Sequence, residues 1–126
     1  MSIKSIASAA APAAIGPYSP AIEAAGFVFV SGQLGIDPVN GAPESGVQVQ
    51  TERAIRNIKS ILAAAGLGLS DVVKTTVFLT NMTDFAVVNE VYAAHFKAPY
   101  PARSTFQVAE LPKGGLVEIE AIAVKR

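Results

Sequence analysis

Charged residues inside two apolar, strand-like segments near the C-terminal end most constrain what this chain can fold into. Arg103 lies in the first segment, and Glu118 and Glu120 lie in the second, Val117-Glu-Ile-Glu-Ala-Ile-Ala-Val124. Arginine and glutamate are rarely buried unless they are paired, because an unpaired buried charge costs several kcal/mol. These charges therefore either pair with one another or with Lys74, or they bind a ligand.

Side-chain alternation along a strand predicts which of these residues share a face. Arg103, Thr105 and Gln107 point to one side of their strand, and Glu118 and Glu120 point to one side of theirs. A hairpin centred on the Gly-Gly pair between the two strands would place all five on one polar face. Within that hairpin Arg103 and Glu118 are still about 13 Å apart along the ladder, at the usual rise per residue.

This polar face has a structural and a functional interpretation. In the structural one, the charges form an ordinary ion-paired patch. In the functional one, the planar guanidinium of Arg103 binds a carboxylate or phosphate through two hydrogen bonds. A glutamate in an apolar setting has a raised pKa or orients a water as a base. Such a site can hydrolyse a substrate without a metal or cofactor.

Composition excludes several classes of function. The 126 residues fit one domain, spanning 1–126, and their net charge is zero with a pI near 6.6, which argues against a nucleic-acid binder. No cysteine is present and histidine occurs once, so we expect no metal centre and no Ser-His-Asp triad. Charged residues make up 16% of the chain, against about 25% in ordinary domains, which favours burial against other copies. Without a membrane-length apolar run or a signal peptide, we expect a soluble, cytoplasmic protein.

The order of patterned segments predicts an α+β fold with one mixed sheet and two helices packed on one of its faces. The first helix has a buried stripe, and Ser45 with Gln48 fits a capping box at its start. The predicted elements are strands at 21–25 and 27–31, a helix at 46–65, a strand at 72–79, a helix at 85–96 and strands at 103–109 and 116–124.

Several residues outside the last two strands have a site role or a structural role to be weighed. Tyr18 lies on a Gly-Pro turn and either anchors an irregular arm or lines a pocket. Ser31-Gly32 follows an apolar strand, where glycine permits close approach of another group. Asn89 lies beside the apolar stripe of the second helix. His95, near the end of that helix, has a structural role in our interpretation.

Six short motifs run through nearly the whole chain in one order. They are Ala13-Ala-Ile-Gly-Pro-Tyr-Ser19, Val30-Ser-Gly-Gln-Leu34, Asn81-Met-Thr-Asp-Phe85, Val88-Asn-Glu-Val-Tyr92, Pro101-Ala-Arg-Ser104 and Val117-Glu-Ile-Glu-Ala-Ile-Ala123. Each motif alone is weak, but together they resemble the RidA/YjgF family of reactive-intermediate imine deaminases. The resemblance implies a chorismate-mutase-like (bacillus type) subunit that forms a homotrimeric barrel, with active sites in clefts between neighbouring subunits.

The resemblance also implies an activity, namely cofactor-independent hydrolysis of 2-imino and 2-enamino acids to 2-keto acids and ammonia. Substrates of this kind, such as 2-aminoacrylate, 2-iminopropionate and 2-iminobutanoate, come from pyridoxal-phosphate-dependent threonine or serine dehydratases. By position, Arg103 would bind the substrate carboxylate and Glu118 would activate the water, with Glu120 as the alternative. The residues implied to line the cleft are Tyr18, Ser31, Gly32, Asn89 and Thr105. Thr105 replaces a cysteine of many relatives, and its hydroxyl leads us to expect that activity survives.

Three other functions stay open at this point. One is a deaminase devoted to a single pathway, such as that of 2-aminomuconate. Another is an endoribonuclease or translation inhibitor, which the neutral charge and the lack of a basic, aromatic-lined surface disfavour. The last is a non-catalytic trimer that binds keto acids.

Overall fold

The computed structural model describes residues 2–126 and contains one six-stranded mixed sheet. Its order is β1-β2-β3-β6-β4-β5, and every neighbouring pair is antiparallel except β4 with β5. The strands are β1 (Lys4–Ile6), β2 (Ala21–Ala24), β3 (Phe27–Leu34), β4 (Val72–Leu79), β5 (Ala102–Gln107) and β6 (Val117–Val124), and the helices are α1 (Val47–Ala64) and α2 (Phe85–His95). The predicted mixed sheet with two helices is confirmed, and β1 is an addition to it.

Both helices cover the same face of the sheet and enclose the core. The stripe of α1 predicted from the sequence is confirmed, since Ile55, Ile58 and Ile61 are fully buried. They share one cluster with Val77 of β4 and Ile119 of β6. Full burial of each such side chain contributes about 1.5–3 kcal/mol, so this layer dominates the stability of the fold.

The predicted capping box at the start of α1 is wrong. The helix begins at Val47, after Gly46 in the left-handed region with φ 86°, and Gly46 provides no side-chain cap. The buried side chain of Gln50 explains how the start of the helix is held without a capping box. Gln50 donates from Nε2 to the Glu44 carbonyl and accepts at Oε1 from the Leu116 backbone N–H, at 2.9 and 2.8 Å. These tertiary contacts position the first turn in place of a local cap.

The predicted hairpin between the last two strands is also wrong, because β4 lies between them. Strand β4, helix α2 and strand β5 form a crossover unit, which makes β5 parallel to β4 and leaves β6 to pair with β3 and β4. In this register Arg103 lies beside Thr75 of β4. Its side chain, like those of alternate residues of β5, points to the helix-covered face of the sheet. Glu118 lies beside Phe78 on the opposite face. The five polar residues therefore do not share one face.

No described helix covers the second face of the sheet, which we call the open face. Phe27 and Phe29 of β3 lie on it, and Phe29 is 44% exposed. Phe106 of β5 lies on the same face and is 54% exposed. An exposed aromatic face on a sheet this small is typical of a surface that other protein covers.

Neither α1 nor α2 combines the length and the apolar character that a bilayer-spanning helix requires.

The end of β3 packs against α1 so closely that only glycine fits. A Cβ atom on Gly35 would lie 2.4 Å from both the Cα and the backbone oxygen of Gln50. Nearby, the buried Asn57 donates from Nδ2 to the carbonyls of Leu34 and Ile36, at 3.2 and 3.0 Å. This junction aligns the chain that leaves β3.

Gly35→Ala should destabilise the protein by about 1–3 kcal/mol, because backbone atoms of α1 cannot move aside as a flexible side chain can. The control is Gly68→Ala, since Gly68 has φ −133° and no atom within 4 Å of an added Cβ. Chemical denaturation of both variants measures the difference. Equal stabilities would show that the contact of β3 with α1 is not rigid.

Candidate active site

Arg103 lies on the edge strand β5 with its side chain toward α2. Its guanidinium carbon Cζ is 4.8 Å from the ring centroid of Tyr92 and 5.7 Å from that of Phe85. Such distances are those of cation–π contacts. None of the ion pairs among residues 2–126 includes Arg103, so its positive charge is free to bind an anion.

Two further predicted residues lie on the Arg103 side of the sheet. Asn89 follows Phe85 by one helical turn on the same side of α2, and it is half-buried. Thr105 lies two residues after Arg103 on the same face of β5 and is also half-buried. The amide, the hydroxyl and the guanidinium thus form one polar group of side chains beside two aromatic rings.

Glu118 lies on the open face of β6, and its carboxyl group packs directly on the backbone of Gly32. A Cβ atom on Gly32 would be 2.7 Å from Glu118 Cδ and 2.8 Å from its Oε1. A register shift of β3 between Val30 and Gln33, of the kind that a β-bulge causes, includes this glycine. The close approach predicted at Ser31-Gly32 is therefore confirmed, and the group that approaches is a carboxyl.

The environment of Glu118 favours its protonated form. Burial raises the pKa of Glu118 above its ordinary value of 4.5, and repulsion from the Glu120 carboxylate raises this pKa further. Within the described part of the chain, no hydrogen bond or ion pair offsets this effect. A carboxyl group with a raised pKa exchanges protons closer to neutral pH, which suits a general acid or base.

Tyr18 and Gly32 line a cleft of about 350 Å³ between the N-terminal arm and the segment after β3. The Tyr18 hydroxyl accepts a hydrogen bond from the Ile15 backbone N–H at 3.2 Å, and the side chain is 48% exposed. The Ser31 hydroxyl instead donates a hydrogen bond to the Ser19 carbonyl at 2.7 Å. That bond holds the arm on β3, and Ser31 itself is not part of the cleft wall in one subunit.

The single chain thus presents the predicted residues in two groups on opposite faces of the sheet. Tyr18, Gly32 and Glu118 lie on one side, and Arg103, with Thr105 and Asn89, lies on the other. Arg103 and Glu118 are two strands apart, which is about 10 Å across the sheet, and their side chains point away from each other. One subunit alone does not bring the two groups to one substrate.

One other sequence prediction concerns a single residue, His95. His95 contacts Glu52 of α1 through Nε2 at 2.6 Å, so it links the two helices and its structural role is confirmed. This hydrogen bond is the main cause of the lowered pKa of Glu52. No group of three or more potential metal-ligating side chains converges anywhere within residues 2–126.

Sequence alone does not reveal the aromatic residues that contact Arg103. The sequence pattern predicts Phe85 and Tyr92 on one apolar stripe of α2; Tyr92 is buried there, and Phe85 lies at the more exposed start of the helix. The spacing of seven residues places both rings on one side of the helix, but it does not show that a guanidinium packs on them. An aromatic pair on a helix that precedes an arginine-bearing edge strand is the signal that was available.

Residues 2–126 together define a small α+β fold in which one guanidinium has no ion-pair partner, one carboxyl group is half-buried and one sheet face is covered by no helix. The family model described as Endoribonuclease L-PSP matches residues 8–125, so the chain belongs to this family, the RidA/YjgF family that the motifs resemble.

Relatives of the chain agree with this membership. The 2-iminobutanoate/2-iminopropanoate deaminase of Bos taurus is 51% identical over 97% of this chain and 90% of its own length. The crystal structure of RidA from the Antarctic bacterium Psychrobacter sp. PAMC 21119 is 50% identical, with a TM-score of 0.94, and covers 96% of this chain and 98% of that chain. E. coli TdcF, solved with bound serine, is 46% identical with a TM-score of 0.92 over 98% and 99% of the two chains.

Gly32→Ala should lower the pKa of Glu118 toward its ordinary value, because the new methyl group pushes the carboxyl group outward into water. Stability should change by less than about 1 kcal/mol, since the displaced atoms end a flexible side chain. Carbon-13 NMR titration of the Glu118 carboxyl and thermal unfolding measure the two effects. Gly16→Ala is the control, as its added Cβ meets only the Tyr18 ring at 3.6 Å. An unchanged Glu118 titration would contradict the packing described here.

Proposed function

We propose that this protein hydrolyses 2-imino acids and their 2-enamino tautomers to 2-keto acids and ammonia without a cofactor. The observation that carries the proposal is the free guanidinium of Arg103, which has no ion-pair partner in the described structure and suits a small carboxylate. Support comes from family membership and from deaminases that are about 50% identical over most of this chain. The proposed substrates are small ones, such as 2-iminopropionate and 2-iminobutanoate.

Arg103 binds the substrate carboxylate in this mechanism. A guanidinium offers two parallel N–H groups that match the two oxygens of a carboxylate. The bound substrate is then held with its imine carbon in a fixed place, which removes much of the entropic part of the barrier. Tyr18, Gly32, Asn89 and Thr105 line the rest of the proposed cleft.

Glu118 moves the protons. In its ionised form it accepts a proton from water as the water oxygen bonds to the imine carbon of the substrate, which binds in its N-protonated form. Glu118 then gives this proton to the nitrogen of the resulting 2-amino-2-hydroxy acid, and it accepts the hydroxyl proton as the C–N bond breaks and the ketone forms. Release of that proton to solvent restores the ionised carboxylate. Water is consumed, and a 2-keto acid and ammonia leave. A raised pKa suits a residue that serves as base and then as acid.

We also propose that the working form is a homotrimer with its clefts between neighbouring subunits. The exposed aromatic side chains of the open face, Phe27, Phe29 and Phe106, would then be buried in a central barrel. A neighbouring chain would bring a Glu118 side to an Arg103 side, which one chain cannot do. The low fraction of charged residues, 16%, agrees with burial of this face.

The imines come from pyridoxal-phosphate-dependent dehydratases in this proposal, because these enzymes release 2-enamino acids that tautomerise. A cytoplasmic location fits that supply, and it stays a prediction from the sequence. The biological role of the protein would then be to remove reactive imines before they damage other enzymes.

The description of the family model makes RNA cleavage a second candidate. A net charge of zero and the absence of a basic, aromatic-lined surface in the described residues oppose it. A nuclease assay with the Arg103→Ala variant as control decides the matter, since contaminating activity would persist in that variant.

The direct test generates an imine with threonine or serine dehydratase and follows its decay with and without this protein. We expect acceleration by the parent, and a loss of about a hundredfold in kcat/KM for Arg103→Ala, the scale expected when a buried charge pair is truncated. Arg56→Ala is the matched control, because Arg56 is exposed and its one ion pair within residues 2–126 is with Glu52 of the same helix.

Three results would contradict parts of this proposal. A parent that binds 2-ketobutyrate without accelerating imine decay would be a binding protein. Equal rates for Arg103→Ala and the parent would remove Arg103 from the site. A strong preference for 2-aminomuconate would indicate a deaminase of one pathway.

The pH dependence of the activity should distinguish the role of Glu118 from that of Glu120. Glu118→Gln should lower kcat by about 10² to 10³ and leave keto-acid binding less affected. In the parent, activity should fall as pH drops through the raised pKa of Glu118. Glu120→Gln removes a repulsion, so it should lower the pKa of Glu118 and move that fall to lower pH. Loss of activity in Glu120→Gln, with Glu118→Gln intact, would exchange their roles.

A further inference from the structure

The ring of Tyr92 is the closest aromatic contact of the Arg103 guanidinium, with Phe85 as a second and more distant one. We propose that Tyr92 is a positioning residue, which holds the guanidinium flat on its ring so that the N–H edge faces the substrate carboxylate. This inference rests on the proposed function, because it assigns a part in the same site to a residue to which the proposed mechanism gives no role.

Tyr92 joins the two strands that carry this side of the site. Its hydroxyl is 2.8 Å from Thr75 Oγ1, and its ring centroid is 4.8 Å from Arg103 Cζ. Thr75 and Arg103 are direct neighbours in the parallel pairing of β4 with β5, with side chains on the same face. The hydroxyl of one tyrosine thus contacts β4 while its ring supports the arginine on the neighbouring edge strand, β5.

The supporting ring is itself held in place. Tyr92 is 6% exposed and stacks on Phe96, with centroids 4.3 Å apart and an interplanar angle of 22°. Thr75 is completely buried, and Phe96 is nearly so. A ring fixed by a stack and by a hydrogen bond has little freedom to follow Arg103, so the guanidinium adapts to the ring.

A ring has an advantage over a carboxylate as the support for this arginine. A carboxylate would neutralise the charge and occupy the N–H donors that a substrate needs. The cation–π contact uses the flat face of the guanidinium and leaves the donors in its plane free. It also restricts a side chain that otherwise loses much rotamer entropy when it binds a ligand.

The test measures binding of 2-ketobutyrate to the whole protein by titration calorimetry. Tyr92→Leu keeps an apolar side chain but removes the ring, and we expect Kd to rise about tenfold, between the effects of an exposed and of a fully desolvated cation–π contact. Tyr92→Phe keeps the ring, so its Kd should stay within about threefold of the parent. In the imine assay, KM should rise more than kcat falls, since the lost contact acts on substrate and transition state alike.

Val88→Ala is the matched control for a purely structural effect. Val88 is buried in the same helix, and none of the contacts of Arg103 described above includes it. It should lower the unfolding temperature and leave Kd unchanged. If Tyr92→Leu does not fold, Phe85→Leu carries the test, because Phe85 lies at the exposed start of α2; its Kd should rise about two- to threefold for the more distant ring.

Three outcomes would overturn the inference. A parent-like Kd in folded Tyr92→Leu, or in Phe85→Leu where that variant replaces it, would show that the rings do not position Arg103. An equal loss in Tyr92→Phe and Tyr92→Leu would assign the effect to the hydroxyl. In both cases the proposed function stands if Arg103→Ala still abolishes binding. Binding that survives Arg103→Ala would instead overturn the carboxylate-binding role and this inference together.

Discussion

The position of β4 between β5 and β6 is the constraint on which the rest of the site depends. It places Arg103 on the helix-covered face and Glu118 on the open face, with a strand between them. Among residues 2–126, Arg103 has no ion-pair partner and the Glu118 carboxyl group has no hydrogen bond. Such groups are costly in an isolated chain, and in the proposed homotrimer a neighbouring copy would supply the other half of the site.

The two charged groups are held in different ways, each suited to its proposed task. Arg103 keeps its charge and its donors because aromatic rings, and not an acid, support it. Glu118 has a raised pKa because it is half-buried on the backbone of Gly32 and lies near Glu120. Because folding raises the pKa of Glu118, the protonated form of this residue favours the folded state. The resulting contribution to the free energy of unfolding is present at acidic pH and is lost as pH rises through the folded-state pKa.

Local sequence patterns predict much of this fold, whereas the pairing of strands that are distant in sequence cannot be predicted from them. The stripe of α1 and the strand from Phe27 were predicted because periodicity is a property of neighbouring residues. The β5–β6 hairpin was wrongly predicted because the choice of strand partner depends on where α2 returns the chain, and no short window contains that information. Strand β1, Lys4–Ile6, is too short to show a period. Tyr92 looked like any core aromatic, since a helix stripe does not reveal what packs against it.

An inter-chain cleft is tested most directly by mixing two inactive subunits. If the protein is the homotrimer proposed above, Arg103→Ala and Glu118→Gln chains that are unfolded together and refolded in equal amounts should form some clefts that combine an intact Arg103 from one chain with an intact Glu118 from the next. Random assembly of chains that share each cleft predicts recovery of about a quarter of the parent activity. No recovery in the mixed trimers, with the parent regaining full activity after the same refolding, would show that each cleft takes both residues from one chain and would contradict the site proposed here.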